Sequence, residues 1–171
     1  MRPSISTVLR ARNRPAEPVL PGRAARAELE RRRVALARRA GPVVDLADLV
    51  GSELVGALAP GTTVVGVLAL AGSDDPATLL DRVVAVLPPD GRVALLEPLR
   101  RAGAAGRLQA LTAPGVRRAA GLHPDHPVPS LVRAAGLVIA SIERFTMPTP
   151  VVPLRPFVQL EAIPAPSAVA R

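Results

Sequence analysis

The chain has 171 residues, enough for one domain with a hydrophobic core and too few for two of ordinary size. Apolar residues make up 49% but aromatic residues only 1%, namely Phe145 and Phe157. That argues against an aromatic ligand cage or a base-stacking surface, and the absence of cysteine excludes disulfides, thiolate catalysis and cysteine-ligated metal.

Charge is unevenly placed. Residues 1–40 hold 11 Arg against Glu17, Glu28 and Glu30, whereas residues 41–171 balance 11 Arg with 11 acids, so the formal charge of +8 belongs to the front of the chain. No apolar run has the length of a membrane span and no signal-peptide core follows Met1, so the expectation is a cytoplasmic protein without a membrane span.

Residues 1–22, with Pro3, Pro15, Pro18 and Pro21 among scattered Arg, read as a tail. Residues 23–39 are rich in Ala, Leu, Glu and Arg and predict a basic helix, with Glu28 and Arg32 at the i,i+4 spacing and Gly41-Pro42 as its stop. This segment offers charge to nucleic acid, but without interleaved aromatics or a reading motif the expectation is a solvated helical face with no specific nucleic-acid role.

Val43 to Leu46 predicts a short strand, and Asp48 to Leu58 a helix. Residues 63–70 are β-branched and nearly unbroken, as in a strand covered on both faces of a parallel sheet. Ser73 or Asp74 is placed to cap a helix with Pro76 in its first turn, whose stripe runs through Leu79, Leu80, Val83, Val84 and Leu87. Pro88 to Gly91 turns into a buried strand at 92–97. Residues 98–129 read as irregular, with one short helix near Leu108. A helix over 129–135, a strand over 137–146 and a last strand near 155–163 complete the chain, with residues 164–171 as a tail. The alternation β-α-β-α-β predicts an α/β sheet with parallel central strands and right-handed crossovers, closed by a C-terminal antiparallel pair.

Candidate chemistry is sparse. His123 and His126 flank Asp125 in a Pro-rich loop, a spacing suited to a base but short of ligands for zinc, so no metal is expected. Asp74 and Asp75 are accounted for by a helix N-terminus. Glu97 ends a strand and either faces a cleft or caps the following turn. Leu70, Ala71 and Gly72 follow a central strand, where open α/β sheets bind ligands; their small size suits a ligand or a plain tight turn.

Three segments in register resemble class I S-adenosylmethionine (SAM)-dependent methyltransferases of the ubiquinone/menaquinone-biosynthesis type. They are residues 74–98 (DDPATLLDRVVAVLPPDGRVALLEP), residues 106–123, and Leu131 to Gly136 with Glu143-Arg144-Phe145. The resemblance covers roughly residues 62–163. It implies a partial Rossmann-like methyltransferase sheet over residues 23–163, SAM as cofactor and a small-molecule methyl acceptor.

The resemblance also assigns roles. Asp45, Ala47 and Gly51 stand at the family's acidic and glycine-loop positions, Leu70 and Ala71 line the cofactor side, and His123 faces the substrate as the catalytic candidate. The loop departs from the family because Ala47 and Leu49 replace glycines that let the backbone approach the cofactor. Only ten residues, 52–61, stand where the family fits two further strands, including the one bearing the ribose-binding acid. The implied function is methyl transfer with an eroded cofactor site. The alternative is an inactive remnant serving as a binding or dimerisation module, with the sheet edge exposed by the gap open to a second copy.

Overall fold

The structure is a computed structural model and describes residues 20–38, 41–50 and 57–166. Most of the expected N-terminal tail, Gly51, most of the expected helix after Asp48, and residues 167–171 therefore lie outside the described residues.

Five strands form one mixed sheet in the order β1-β2-β3-β5-β4. These are β1 (Val43–Asp45), β2 (Thr63–Val67), β3 (Arg92–Pro98), β4 (Leu137–Thr146) and β5 (Pro156–Pro164). β1, β2 and β3 run parallel, and β5 inserts antiparallel between β3 and β4. This is the α/β sheet expected from the sequence, including its antiparallel close. β2 is interior, and of its residues Thr63, Val64, Val65 and Gly66 are buried.

Five helices cover the sheet: α1 (Arg23–Ala37), α2 (Leu46–Val50), α3 (Pro76–Val86), α4 (Gly103–Ala120) and α5 (Val128–Ala134). Strand alternation splits the core into two layers. On one face Val65, Ala94, Leu96 and Phe157 pack with Ala25 and Leu36 of α1 and Val116 of α4. On the other Val64, Val93, Leu95 and Leu160 pack with Leu46 of α2, Leu80 and Val83 of α3, and Val132 of α5. α2 and α3 share a face for a topological reason. The chain advances from β1 to β2 to β3 in one direction, and two right-handed crossovers in the same direction put both helices on the same side.

α1 is fastened across its face by Arg32. Its guanidinium lies 3.6 Å from the Phe145 ring centroid and bonds Glu143 and Gln159 at 3.0 Å and Glu28 at 2.7 Å. The two phenylalanines meet beneath it, with ring centroids 5.8 Å apart.

The expectation that residues 98–129 are largely irregular is corrected by α4, which is 18 residues long. Gly103, Gly106, Pro114 and Gly115 conceal it, since each weakens a helical pattern. Tertiary structure explains two of them. A Cβ at Gly106 would lie 1.9 Å from the Arg101 carbonyl oxygen, so only glycine lets the helix start that close to the preceding loop. Pro114 removes one helical bond, yet buried Gln109, Ala113 and Val116 still hold the helix to the body. Gln109 is the anchor. Its Oε1 accepts from Arg101 N–H at 2.9 Å, and its Nε2 reaches the carbonyls of Leu99, Pro124 and Pro153 at 2.7–3.2 Å.

Candidate functional site

Ligands of open α/β sheets bind beyond the carboxyl ends of the strands, where the expected cofactor residues fall. β1 ends at Asp45, whose carboxylate accepts from the Ala47 N–H at 2.9 Å and from Arg33 at 3.1 Å. The acid therefore closes the tight turn into α2 and ties that turn to α1. Ala47 is exposed, and Leu49 packs into the core layer on the α3 side.

β2 stops short of the expected residue 70 because the backbone reverses at Leu68, which has φ 56. A leucine in the left-handed region is strained, and such a residue persists only where its surroundings fix it. Here the Leu68 side chain is buried and its N–H donates to Leu96 O at 3.0 Å. The turn that follows is held by Glu97, fully buried at the end of β3: Oε1 accepts from Leu70 N–H at 2.9 Å and Oε2 from Ala71 N–H at 3.0 Å. Burial pushes the Glu97 carboxyl up to about 8, and the backbone N–H groups of Leu70, Ala71 and Ala69 oppose that rise. Glu97 thus neither faces an open cleft nor caps its own turn; it clasps the turn of the neighbouring strand.

The same turn is held from outside by the loop after α4. His123 N–H donates to Ala71 O at 2.7 Å, and His126 Nδ1 lies 3.0 Å from Leu70 O. A carbonyl only accepts, so Nδ1 of His126 carries the proton. Burial, then the neighbouring His123, hold the His126 pKa below its ordinary 6.5. The two imidazoles stack, with centroids 4.7 Å apart and planes 13° apart. His123 Nε2 is 3.1 Å from Asp74 Oδ1, an oxygen that also accepts from Arg117 at 2.6 Å. With Nε2–H directed at that carboxylate, the basic nitrogen of neutral His123 is Nδ1. Asp75, one residue on, caps α3 by accepting from Thr78 N–H at 3.0 Å, the role expected of Ser73 or Asp74.

The structure therefore gathers Leu70, Ala71 and His123 into one bonded assembly, with Asp45 and Ala47 at the end of the adjacent strand. Sequence reasoning did not foresee Gln109, or Arg117 as a partner of Asp74; their connections span 43 or more residues and leave no local pattern. A hollow of about 470 Å³ opens beside His123, lined by Ala110, Ala113, Pro114, Arg117, Arg118 and Asp125, and its lining includes none of the expected cofactor residues. Among the described residues, no group of three or more His, Asp or Glu could hold a metal ion, and no helix is long and apolar enough to cross a membrane.

No known family profile matches the sequence, and no curated protein matches it. Solved structures do. LepI in complex with SAM aligns over 91% of this chain and 45% of its own, at 14% identity and a TM-score of 0.50. A structure described as a pericyclic reaction enzyme aligns over 90% and 45%, also at 14% and 0.50. The mitomycin 7-O-methyltransferase MmcR aligns over 66% and 32%, at 17% and 0.45. The fold is that of the class I methyltransferases. The chain spans less than half the length of LepI, and identities this low carry the fold alone.

Proposed function

We propose that this chain is a non-catalytic methyltransferase-fold module whose own SAM seat is closed. The observation that carries the reading is the Glu97 clasp. A cofactor beside Leu70 and Ala71 would need room or free amides there, yet both residues are buried and both N–H groups are bonded to one internal carboxylate. Topology supports the same reading. Open α/β sheets bind ligands where strand order reverses and successive helices depart to opposite faces. Between β1 and β2 there is no reversal, and α2 and α3 lie on one face. Asp45 is likewise engaged by Arg33 and Ala47. The residues present do not fit SAM, so no methyl-transfer step is derived through them.

The test is calorimetric titration of the full chain with SAM and with its demethylated product, S-adenosylhomocysteine. The expected result is no saturable binding below millimolar concentration. Loss of two hydrogen bonds to a charged ligand, at about 1.5–3 kcal/mol each, takes a micromolar site to that range or beyond. Micromolar binding by the unmodified chain would return it to the cofactor-dependent enzymes.

One observation favours the rival reading, methyl transfer to a small acceptor. His123, with Nδ1 as its basic atom, borders a hollow within the range of about 300–1,000 Å³ typical of small-molecule sites. If that reading holds, His123→Ala abolishes SAM-dependent methylation while the His126→Ala chain retains a measurable rate. A second copy pairing along β1 would supply the missing wall, and sedimentation equilibrium with and without SAM tests that arrangement.

A further inference from the structure

We propose that the outer face of α4 docks on an anionic lipid surface. Leu111 is 79% exposed and Leu108 is 63% exposed, on one helix. Val152, also 63% exposed, belongs to the short 3-10 turn that packs against α4. These three are the most exposed large apolar side chains among the described residues.

Their charge setting is equally one-sided. From Pro98 to Pro124 the chain has Arg100, Arg101, Arg107, Arg117 and Arg118 and no acidic residue. Arg117 is committed to Asp74, whereas the side chains of the other four are unpaired among the described residues. At about 100° per helical residue, Arg107, Leu111 and Arg118 fall within about 40° of one another, on the side opposite buried Gln109, Ala113 and Val116. The crest of α4 is thus a leucine with a guanidinium toward each end and a second leucine one turn away.

This arrangement fits an interface between water and lipid. Leucine enters the acyl boundary while arginine stems lie along it and their heads stay at phosphate depth. It fits a folded acidic partner less well. Such a partner needs a groove with large apolar walls, and the hollow flanking α4 is floored by Ala110, Ala113 and Pro114. Lipid needs no groove to receive a convex crest.

The experiment is flotation of the full chain with vesicles of phosphatidylcholine alone and of phosphatidylcholine containing about a third phosphatidylglycerol. The chain is expected on the anionic vesicles. Leu108→Ser with Leu111→Ser is expected to weaken binding about tenfold or more, because apolar insertion is lost. Arg107→Gln with Arg118→Gln is expected to weaken it roughly tenfold and to flatten its salt dependence. The Arg-rich front of the chain is itself drawn to anionic lipid, so the leucine pair is the decisive variant: attraction through charge alone leaves it unchanged. Both variants alter exposed side chains, and an unchanged urea midpoint confirms the fold. Equal vesicle binding by wild type and the leucine variant overturns the proposal, as does no binding by wild type. So do polyglutamate displacing the chain from vesicles through α4 and a wild-type dimer that the leucine variant dissociates.

Discussion

The two flanks of the sheet differ in how much strand they retain. On one side β3, β5 and β4 run for seven, nine and ten residues, paired antiparallel nearly end to end. On the other, β1 has three residues, follows Pro42, and leaves Val43 exposed at the sheet margin. The long flank buries Phe157, Val158 and Leu160 completely and holds the fold; the short flank contributes a turn, one buried leucine at position 46 and an ion pair. A Rossmann-like sheet can therefore lose strands from the cofactor side and still close two core layers. What changes is topology, because removing the strand-order reversal also removes the crevice it would open.

The largest expected effect tests that asymmetry directly. Phe157→Ala should cost about 3–5 kcal/mol in urea unfolding, since a fully buried ring is lost and Phe145 and Arg32 lose their support. Val43→Ala, at the partly exposed margin of β1, should cost less than about 1 kcal/mol. Equal losses would mean that the short flank carries as much of the fold as the long one.

The long flank was also the legible one. Residues 63–67 and 92–98 announce themselves as unbroken apolar runs between Pro-Gly and Pro-Asp-Gly turns, and the closing pair reads from two β-rich segments after a helix. α4 did not, because its glycines and proline answer to tertiary contacts at Arg101 and the Gln109 carbonyl cluster. The turn after β2 was similarly opaque. A left-handed leucine at 68 has no propensity signature, and Glu97 reaches Leu70 across 27 residues. The candidate site could be located from sequence at the right end of the right strands. Its occupancy by an internal carboxylate could not be read there.

Glu97 gives the next largest effect, through pH. Its folded pKa is raised above 4.5 to about 8, so between those values the folded chain keeps a proton that the unfolded chain has released. Stability is full below 4.5 and falls as pH rises through 8. His126 acts in the opposite sense: its folded pKa is depressed, so stability is lost as pH falls below 6.5. Above 6.5 the Glu97 contribution stands apart from that of His126. Between pH 6.5 and 8 the wild type should lose roughly 1–2 kcal/mol, and Glu97→Gln should flatten that slope. An unchanged slope in the variant would remove Glu97 as its source.

Arg32→Ala should cost about 1–2 kcal/mol, because it removes the contact over Phe145 and the bonds joining α1 to β4 and β5. The informative readout is hydrogen exchange. Amides of α1 should exchange faster while those of β3 stay protected, since α1 is fastened to the long flank chiefly at this point.

The smallest effect belongs to the short flank and bears on function. Asp45→Asn keeps a side-chain oxygen for the Ala47 N–H but loses the charge facing Arg33. Both partners are partly exposed, so the pair is worth about 0–1 kcal/mol and the urea midpoint should hardly move. The same substitution separates the two functional readings. If Asp45 only closes the turn into α2, the response of the chain to SAM is the same with either side chain. If the carboxylate instead holds a cofactor, the variant loses a charge-assisted hydrogen bond, and affinity for SAM drops about tenfold or more. A SAM affinity that is measurable in the wild type and falls in Asp45→Asn would show that the short flank, despite its three-residue strand, still binds what the fold was built to bind.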